Sequence, residues 1–523
     1  MSSDRSVSST RRRILTTALG VSLTAFSGCI SESDVAAPER TSPAQTEPLD
    51  TESQSDTWPQ FGANPRNTGQ DGSVTGPGSE NAQVSWTYDG GTPTMNTSPV
   101  VGNGLVYVGG SGDPGLVHAI EIESGEQQWE FEPAGYLSSA PALVDGTLYF
   151  GTWGKQFYAL DAESGDVLWN TEVGHRFGSS SPAVVDGSVY VGSYGDGPLV
   201  VSGSEDEEEF EAPAMFALDA ESGEIQWRYD QFGDRSQIGS SPAVADGRVY
   251  FSAEETLYAL ASETGDEVWT RNVPSHPDAS RHGCSPPMAT TVPNAGDGPT
   301  TAGCRSLVAD DTGAVRYVTN ARVCWLVLDG SEAHTEYYYA DRGSFDRLDS
   351  IAAIDASDDA ELSYAADRAT DHASVITGNA WEGSETNDAR LLVVDRDGGV
   401  LLNRAVGFAN TTNVGRDAVG TADGYLLSGT AVVGDGSLPW LAWFDTDGEC
   451  QRHRFPVRAP HAAPDLLSTD GAAPQGYPRE GHLGDVDCLR PTDDGLFVVY
   501  NERDRSGALD LRQPWLGYVE GAH

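Results

Sequence analysis

Lysine and basic charge are scarce in this chain. Lys155 is the only lysine in 523 residues, and 31 basic residues stand against 79 acidic ones, which gives a formal net charge of −48. So acidic a surface repels nucleic acid and anionic lipid headgroups, and neither is an expected partner. Dense carboxylates are tolerated where molar salt screens their repulsion. The composition therefore favours a salt-loving, archaeal source.

Long apolar runs are also missing after the N-terminus. The one notable run, residues 14–26, follows Arg11 and Arg12 and precedes a small-residue approach to Cys29. This segment resembles the twin-arginine export signal of a lipoprotein, in which the arginine pair directs export and Cys29 receives the lipid. Phe26 departs from the usual leucine of such a lipobox. The alternative is an uncleaved N-terminal anchor, and in both cases the protein body lies outside the cytoplasmic membrane.

Residues 30–57 contain almost no large apolar side chains and cannot bury enough surface to fold. We therefore expect residues 1–29 to be the export signal and residues 30–57 to be a disordered acidic tether. The lipid on Cys29 is then the only membrane contact. Asn96 and Asn410 begin Asn-x-Thr/Ser sequons, which are candidate glycosylation sites on an exported surface.

Familiar catalytic signatures are absent. The chain has no H-E-x-x-H, no G-x-S-x-G and no adjacent cysteine pair. The glycine-rich stretch 110–115 leads into a strand and not a helix, so it predicts a turn. Residues 395–399 and 445–449 lack a complete calcium-ligand set and read as hairpin turns. The basic stretch 451–461 is interpreted as a strand beside acidic neighbours, with an anion or partner site as the minority reading.

Five cysteines follow the lipobox, and their odd number leaves the pairing open. Cys284 and Cys304 can bridge a Pro/Gly-rich loop in an exported protein. Cys450 with Cys488 is a second candidate, which leaves Cys324 as a small apolar residue in its strand.

What the chain does have is repetition. Four similar segments carry Asn-Gly or Asp-Gly between alternating apolar residues, which specifies tight hairpins with positive φ at both central positions. They occupy residues 97–110, 139–152, 180–193 and 240–253. Each leads into a third and a fourth strand, and four-stranded units of about 40 residues are the period of propeller blades.

The third and fourth strands of these units share the pattern Ala-x-Asp-x-x-Ser/Thr-Gly-x-x-x-Trp. It resembles the tryptophan-docking motif of quinoprotein-type (PQQ-like) β-propellers, over residues 84–270, and residues 58–69 resemble that family's lead-in. The resemblance implies that each tryptophan stacks against the backbone of the neighbouring blade, where a glycine permits close approach. The residues concerned are Trp129, Trp169, Trp227 and Trp269 with Gly125, Gly165, Gly223 and Gly265.

The second half keeps a weaker period. Its predicted third strands are residues 324–329, 390–395, 440–445 and 515–520. The last unit lacks a fourth strand, and residues 82–89 resemble a fourth strand without a preceding unit.

We expect residues 82–89 to complete the last blade of an all-β, eight-bladed propeller, since this removes two exposed sheet edges. PQQ-like blades would fill residues 58–275, and divergent blades would close the same ring over 276–523. Residues 350–367 form a weak rival pair of strands, so seven or nine blades remain open. Two separate propellers are the other alternative.

The resembled quinoproteins hold the quinone and Ca²⁺ at the ring axis with acidic, Asn and Arg ligands. No such set can be aligned here, so no cofactor is predicted and no catalytic residue is assigned. The resemblance extends to BamB-type assembly lipoproteins, which implies a binding scaffold tethered outside the membrane. Its partner would be an unidentified protein or cell-surface ligand. The alternative is a PQQ/Ca²⁺-dependent dehydrogenase, or another enzyme with its site at the propeller axis.

Overall fold

A computed structural model describes most of residues 58–272 and, beyond them, strands between Leu307 and Ala522 with Thr492. The ranges in the first part are 58–65, 67, 80–90, 94–95, 97–111, 114–178, 180–194, 213–232, 238, 240–253 and 256–272. Several predicted features lie outside the described residues. They are the signal and tether of residues 1–57, Asn96, Cys284, Cys304 and Asn410.

The described residues form eight antiparallel sheets and no helix. The first sheet comprises β2 (Thr94–Met95), β3 (Val100–Gly102), β4 (Leu105–Ser111), β5 (Leu116–Glu121) and β6 (Gln127–Phe131). The second comprises β7 (Ala142–Val144), β8 (Thr147–Gly151), β9 (Gln156–Asp161) and β10 (Val167–Glu172). The third comprises β11 (Ala183–Val185), β12 (Ser188–Gly192), β13 (Met215–Asp219) and β14 (Ile225–Tyr229). The fourth comprises β15 (Ala243–Ala245), β16 (Arg248–Ala253), β17 (Thr256–Ala261) and β18 (Glu267–Asn272).

The second half supplies the remaining four sheets. The fifth comprises β19 (Leu307–Ala309), β20 (Val315–Thr319), β21 (Arg322–Asp329) and β22 (Glu332–Tyr339). The sixth comprises β23 (Leu362–Ala369), β24 (Ala373–Glu382), β25 (Thr386–Asp395) and β26 (Val400–Val406). The seventh comprises β27 (Thr412–Thr421), β28 (Gly424–Val433), β29 (Gly436–Asp445) and β30 (Cys450–Arg454). The eighth comprises β31 (His482–Pro491), β32 (Gly495–Asp504), β33 (Arg512–Ala522) and β1 (Glu80–Tyr88).

The first hairpin of each of the first four sheets turns through two residues with positive φ. Asn103 and Gly104 have φ of 57° and 74°, and Asp145 and Gly146 have φ of 50° and 75°. These angles are those of type I′ turns, which Asn-Gly and Asp-Gly adopt readily. The hairpin prediction is confirmed.

The last sheet combines the first and the last strand of the described chain. β1 runs antiparallel to β33, with Val84 opposite Val519 and Tyr88 opposite Leu516. The predicted composite blade is therefore confirmed, with its strand beginning at Glu80 instead of residue 82.

The rival reading of residues 350–367 as a third and fourth strand is wrong over residues 362–367, the part that the structure describes. Residues 362–369 form β23, which is the first strand of the sixth sheet. The four predicted third strands of the second half lie in β21, β25, β29 and β33, each third in its sheet.

First strands of consecutive sheets contact each other, for example β3 with β7, β7 with β11 and β11 with β15. These strands therefore surround a common axis, and the sheets radiate from it as propeller blades. Apolar side chains pack in the gaps between sheets. Tyr107, Trp129 and Phe150, for instance, share one cluster between the first and second sheets. The described part of the chain contains no helix long and apolar enough for a membrane span.

Candidate functional site

Each docking tryptophan of the first three sheets lies on the hairpin of the following sheet. Trp129 donates its indole N–H to the Ala162 carbonyl over 2.9 Å. A Cβ placed on Gly165 would lie 2.8 Å from the Trp129 ring, so only glycine permits this approach. Gly165 also has φ of 76°, which glycine adopts without strain. The glycine of one unit thus receives the tryptophan of the unit before it.

The next two seams repeat this geometry. Trp169 donates to the Ala220 carbonyl over 3.0 Å and lies against Gly223. Trp227 donates to the Ser262 carbonyl over 2.8 Å and lies against Gly265. The structure places Trp269 in the fourth sheet with its ring centroid 6.0 Å from that of Tyr250.

Trp86 is a docking residue that sequence reasoning missed. Its indole N–H donates to the Ile122 carbonyl over 2.8 Å, and its ring lies against Gly125. The signal was available, because Trp86 lies in the fragment 82–89 that resembles a fourth strand, at the position that Trp227 has in residues 223–230. The composite sheet is therefore joined to the first sheet by the same contact that joins the later ones.

Residues 58–67, which we call the axial segment, contact the inner strands of the first four sheets in turn. Trp58 pairs with Val101 in both directions, with N–O distances of 2.8 and 2.9 Å. The Pro59 carbonyl accepts the Leu143 N–H over 2.7 Å. The Gln60 carboxamide accepts the Val184 N–H over 3.0 Å and donates to the Val184 carbonyl over 3.2 Å. This segment therefore runs along the inner strands that surround the axis.

The far end of the axial segment reaches the fourth sheet. The Pro65 carbonyl accepts the Val244 N–H over 2.7 Å, and the Asn67 carboxamide donates to the Pro242 carbonyl over 2.9 Å. Between these ends, Ala63 takes φ of 67°, where the chain turns back after Gln60. The segment is thus held by main-chain and carboxamide hydrogen bonds.

Apolar side chains anchor the same segment. Trp58 and Phe61 are 1% and 3% exposed, and Phe61 packs with Ala140. The guanidinium of Arg490, from β31, lies 5.2 Å above the Trp58 ring, a cation–π geometry. The axial segment therefore also touches the eighth sheet.

Buried hydroxyls precede the inner strands. Thr97, Ser180 and Ser240 each accept a backbone N–H, from β4, β12 and β16 respectively, over 2.7, 3.0 and 2.8 Å. Ser139 occupies the same place in the second sheet, but its Oγ is buried without a hydrogen-bond partner. Three of these hydroxyls thus serve the fold.

A polar cluster lies at the seam between the eighth and first sheets. The Tyr88 hydroxyl is 3.0 Å from His118 Nδ1 and also hydrogen-bonds Gln127. Glu130 lies 3.9 Å from His118 Nδ1. Burial lowers the pKa of His118, and the Glu130 charge opposes that shift only in part. Burial raises the pKa of Tyr88 to about 12, so both side chains are neutral at pH 7.

The cysteines and the basic stretch singled out in the sequence lie outside these contacts. Cys324 lies in β21, Cys450 on the outermost strand of the seventh sheet and Cys488 on the innermost strand of the eighth. Arg452 and His453, from the basic stretch, lie in β30. Within the described part of the chain, no three His, Cys, Asp or Glu side chains cluster as metal ligands would.

A family model described as "Outer membrane protein assembly factor BamB" matches three overlapping ranges, residues 70–205, 113–281 and 194–316. The same assembly factor from Yersinia pestis is 30% identical over 106 residues, which cover 17% of this chain and 26% of that protein. The dehydrogenase subunit of a quinone alcohol dehydrogenase from Gluconobacter oxydans is 24% identical over 167 residues, which cover 28% of this chain and 21% of that protein. The chain thus spans at most 26% of the length of either relative.

The fold is shared with solved quinoproteins. The quinohemoprotein alcohol dehydrogenase of Comamonas testosteroni superposes with a TM-score of 0.53 and 15% identity, and covers 90% of this chain and 82% of that one. At this identity the likeness extends to the fold alone. Together, the two comparisons support a β-propeller fold, with similarity to PQQ-like repeats over residues 70–316.

Proposed function

We propose that this β-propeller is a binding scaffold for a protein partner, held outside the cytoplasmic membrane by a lipid on Cys29. One surface feature carries the proposal. Val167, Leu168, Ile225 and Val268 are 46%, 55%, 44% and 45% exposed, and they are the large hydrophobic side chains most open to water in the described chain. A partner that covered them would remove apolar surface from water.

These side chains recur at one place in the architecture. They lie on β10, β14 and β18, the outermost strands of three consecutive sheets, just before the docking tryptophans. An outermost strand also carries unpaired backbone N–H and C=O groups, to which a further strand can add. The combination of an open strand edge and exposed aliphatic side chains favours a protein partner over a small molecule.

The Yersinia relative is named for outer-membrane assembly. That role depends on an outer membrane, and the composition of this chain favours an archaeal source without one. We therefore propose only that this chain binds a protein partner. The role in outer-membrane assembly is not proposed for it.

A quinone with Ca²⁺ does not fit the described axial residues. Trp58, Gln60 and Phe61 are buried there and supply indole, carboxamide and phenyl groups. A planar cofactor at this level would have to displace the axial segment and its hydrogen bonds to four sheets. No reaction step is therefore assigned to this axis.

Site-specific photo-crosslinking tests the scaffold. A benzophenone side chain is placed at Leu168, Ile225 or Val268, and at Glu123 as a control on an exposed turn of the first sheet. We expect one partner band from the three outer-strand positions and none from the control, after irradiation of intact producing cells. Equal labelling at all four positions, or none, would contradict the proposal.

Titration with PQQ and Ca²⁺ tests the enzymatic alternative. Saturable quinone absorbance together with dye-linked alcohol oxidation would overturn the scaffold. The anchor has its own test, in which Cys29→Ala should move the protein from the membrane fraction into the medium. Replacement of Arg11 and Arg12 by lysine should stop export.

A further inference from the structure

Four equivalent backbone amides point at the axis. They belong to Val101, Leu143, Val184 and Val244, each two residues after the proline that opens its repeat. All four donate to the axial segment, to the main-chain carbonyls of Trp58, Pro59 and Pro65 and to the Gln60 side chain. The repeat itself therefore builds an arc of four donors, and a ligand there must offer one carbonyl oxygen to each of these four sheets.

The charge of the protein narrows the class of ligand. With a formal net charge of −48, the chain disfavours an anion at its centre. Peptide and carboxamide oxygens accept the same hydrogen bonds without carrying charge. Trp58 also exchanges both N–H···O bonds with Val101, as a strand added to a sheet edge does.

We propose that the inner edges of β3, β7, β11 and β15 form a peptide-binding site, and that the axial segment is its resident ligand, held in cis. The ligand class is a short uncharged or basic peptide that begins Trp-Pro-Gln-Phe. Trp58 and Phe61 are its buried anchors, and the carboxamides of Gln60 and Asn67 read the third and fourth sheets. This surface is separate from the outer strands and does not depend on the scaffold role proposed for them.

Exchange of the segment tests the site. A protease site is inserted between Val74 and Thr75 of the full chain, and the folded protein is cut there. A fluorescent peptide of residues 56–68 is then added, and its anisotropy is measured. We expect saturable binding to the cut protein and none to the uncut one, because in the uncut chain the resident segment is covalently attached and rebinds first.

Two competitors define specificity. The unlabelled peptide should displace the probe, whereas the same peptide with Gln60→Ala should require about tenfold more, since it loses both bonds to Val184. A scrambled peptide of identical composition should not compete. Competition by the scrambled peptide at the concentration of the native one would overturn the proposal.

If the resident segment stays bound after cutting, it blocks the probe, and a second variant is needed to release it. Gln60→Ala with Asn67→Ala in the chain weakens the segment while leaving the sheets intact, so the cut variant should release it and take up the native peptide. Failure of this cut variant to bind the peptide, when its circular dichroism matches that of the uncut protein, would also overturn the proposal. The crosslinking pattern of the outer strands is unaffected by either result.

Discussion

Trp86 donates its indole N–H to the carbonyl of Ile122 over 2.8 Å, and this contact joins the last sheet of the ring to the first. In the next seam, the corresponding carbonyl of Ala162 accepts two donors, the Trp129 indole and the Tyr107 hydroxyl. Register places Phe497 in the eighth sheet where Tyr107 stands in the first. Because phenylalanine has no hydroxyl, the closing seam depends on Trp86 for this hydrogen bond.

Replacement of Trp86 by phenylalanine should therefore be more costly than the same change at Trp129. Trp86→Phe removes the indole donor to Ile122, whereas Trp129→Phe leaves the Tyr107 hydroxyl on Ala162. We expect the free energy of unfolding to fall by about 1 kcal/mol more for Trp86→Phe. Denaturant unfolding of the two variants measures this, and equal losses would contradict the seam asymmetry.

Substitutions at two hairpin glycines distinguish the cost of backbone strain from the cost of a clash with a packed side chain. Gly146 and Gly165 have nearly the same φ, 75° and 76°, so alanine at either position costs about 1–2 kcal/mol in backbone strain. A Cβ on Gly146 meets nothing within 4 Å, whereas one on Gly165 lies 2.8 Å from the Trp129 ring. Gly165→Ala should therefore destabilise the fold further and shift Trp129 fluorescence, and Gly146→Ala should not shift it. Identical spectra and midpoints would contradict the close approach.

We expect His118 to make the stability of the seam between the eighth and first sheets depend on pH. Its pKa is lowered in the folded protein because burial disfavours the imidazolium, so the unfolded chain takes up this proton first as the pH falls. The stabilisation is present above the ordinary histidine pKa of about 6.5 and is lost as the pH falls below it, by at most about 1.4 kcal/mol per pH unit.

Replacement by a side chain that does not titrate removes this dependence. His118→Gln should show a flatter stability profile between about pH 7 and 5 than the native chain, as measured by denaturant unfolding in constant molar salt. The substitution also changes the contacts of the imidazole with Glu130 and Tyr88, which shifts stability at every pH. The free energy of unfolding of each protein is therefore compared with its own value at pH 8. Parallel profiles would show that His118 does not titrate with folding.

Local rules predicted most of the fold. Asp145 and Gly146 specify a hairpin from their own conformational preferences, and the period of the repeats gives the blades. The fragment ending in "SWTYD" then identifies the strand that completes the last sheet, because a propeller leaves no long exposed edge. The weak rival assignment of residues 350–367 failed because a short apolar alternation does not reveal which strand of a sheet it forms.

The axial segment could not be predicted in the same way. Gln60 hydrogen-bonds Val184 across 124 residues of sequence, and no local pattern encodes such a partner. Ala63 itself adopts positive φ, although its neighbours Gly62 and Asn64 are the residue types that favour this conformation. The resemblance of residues 58–69 to a family lead-in marked the segment, but only the convergence of four inner strands explains what it binds.

Deletion of β1 tests whether ring closure is required for folding. Residues 80–88 pair with β33 and bring Val84 and Trp86 into the apolar clusters on either side of the eighth sheet. Without them, β33 keeps β32 but loses its outer partner and exposes an edge, and the apolar surface of the seam meets water. We expect the deleted chain to lose its cooperative thermal transition and to aggregate. Deletion of nine residues from the predicted tether, 40–48, is the matched control and should leave the transition unchanged. A native-like melting curve for the chain without β1 would mean that the ring holds together without its composite blade.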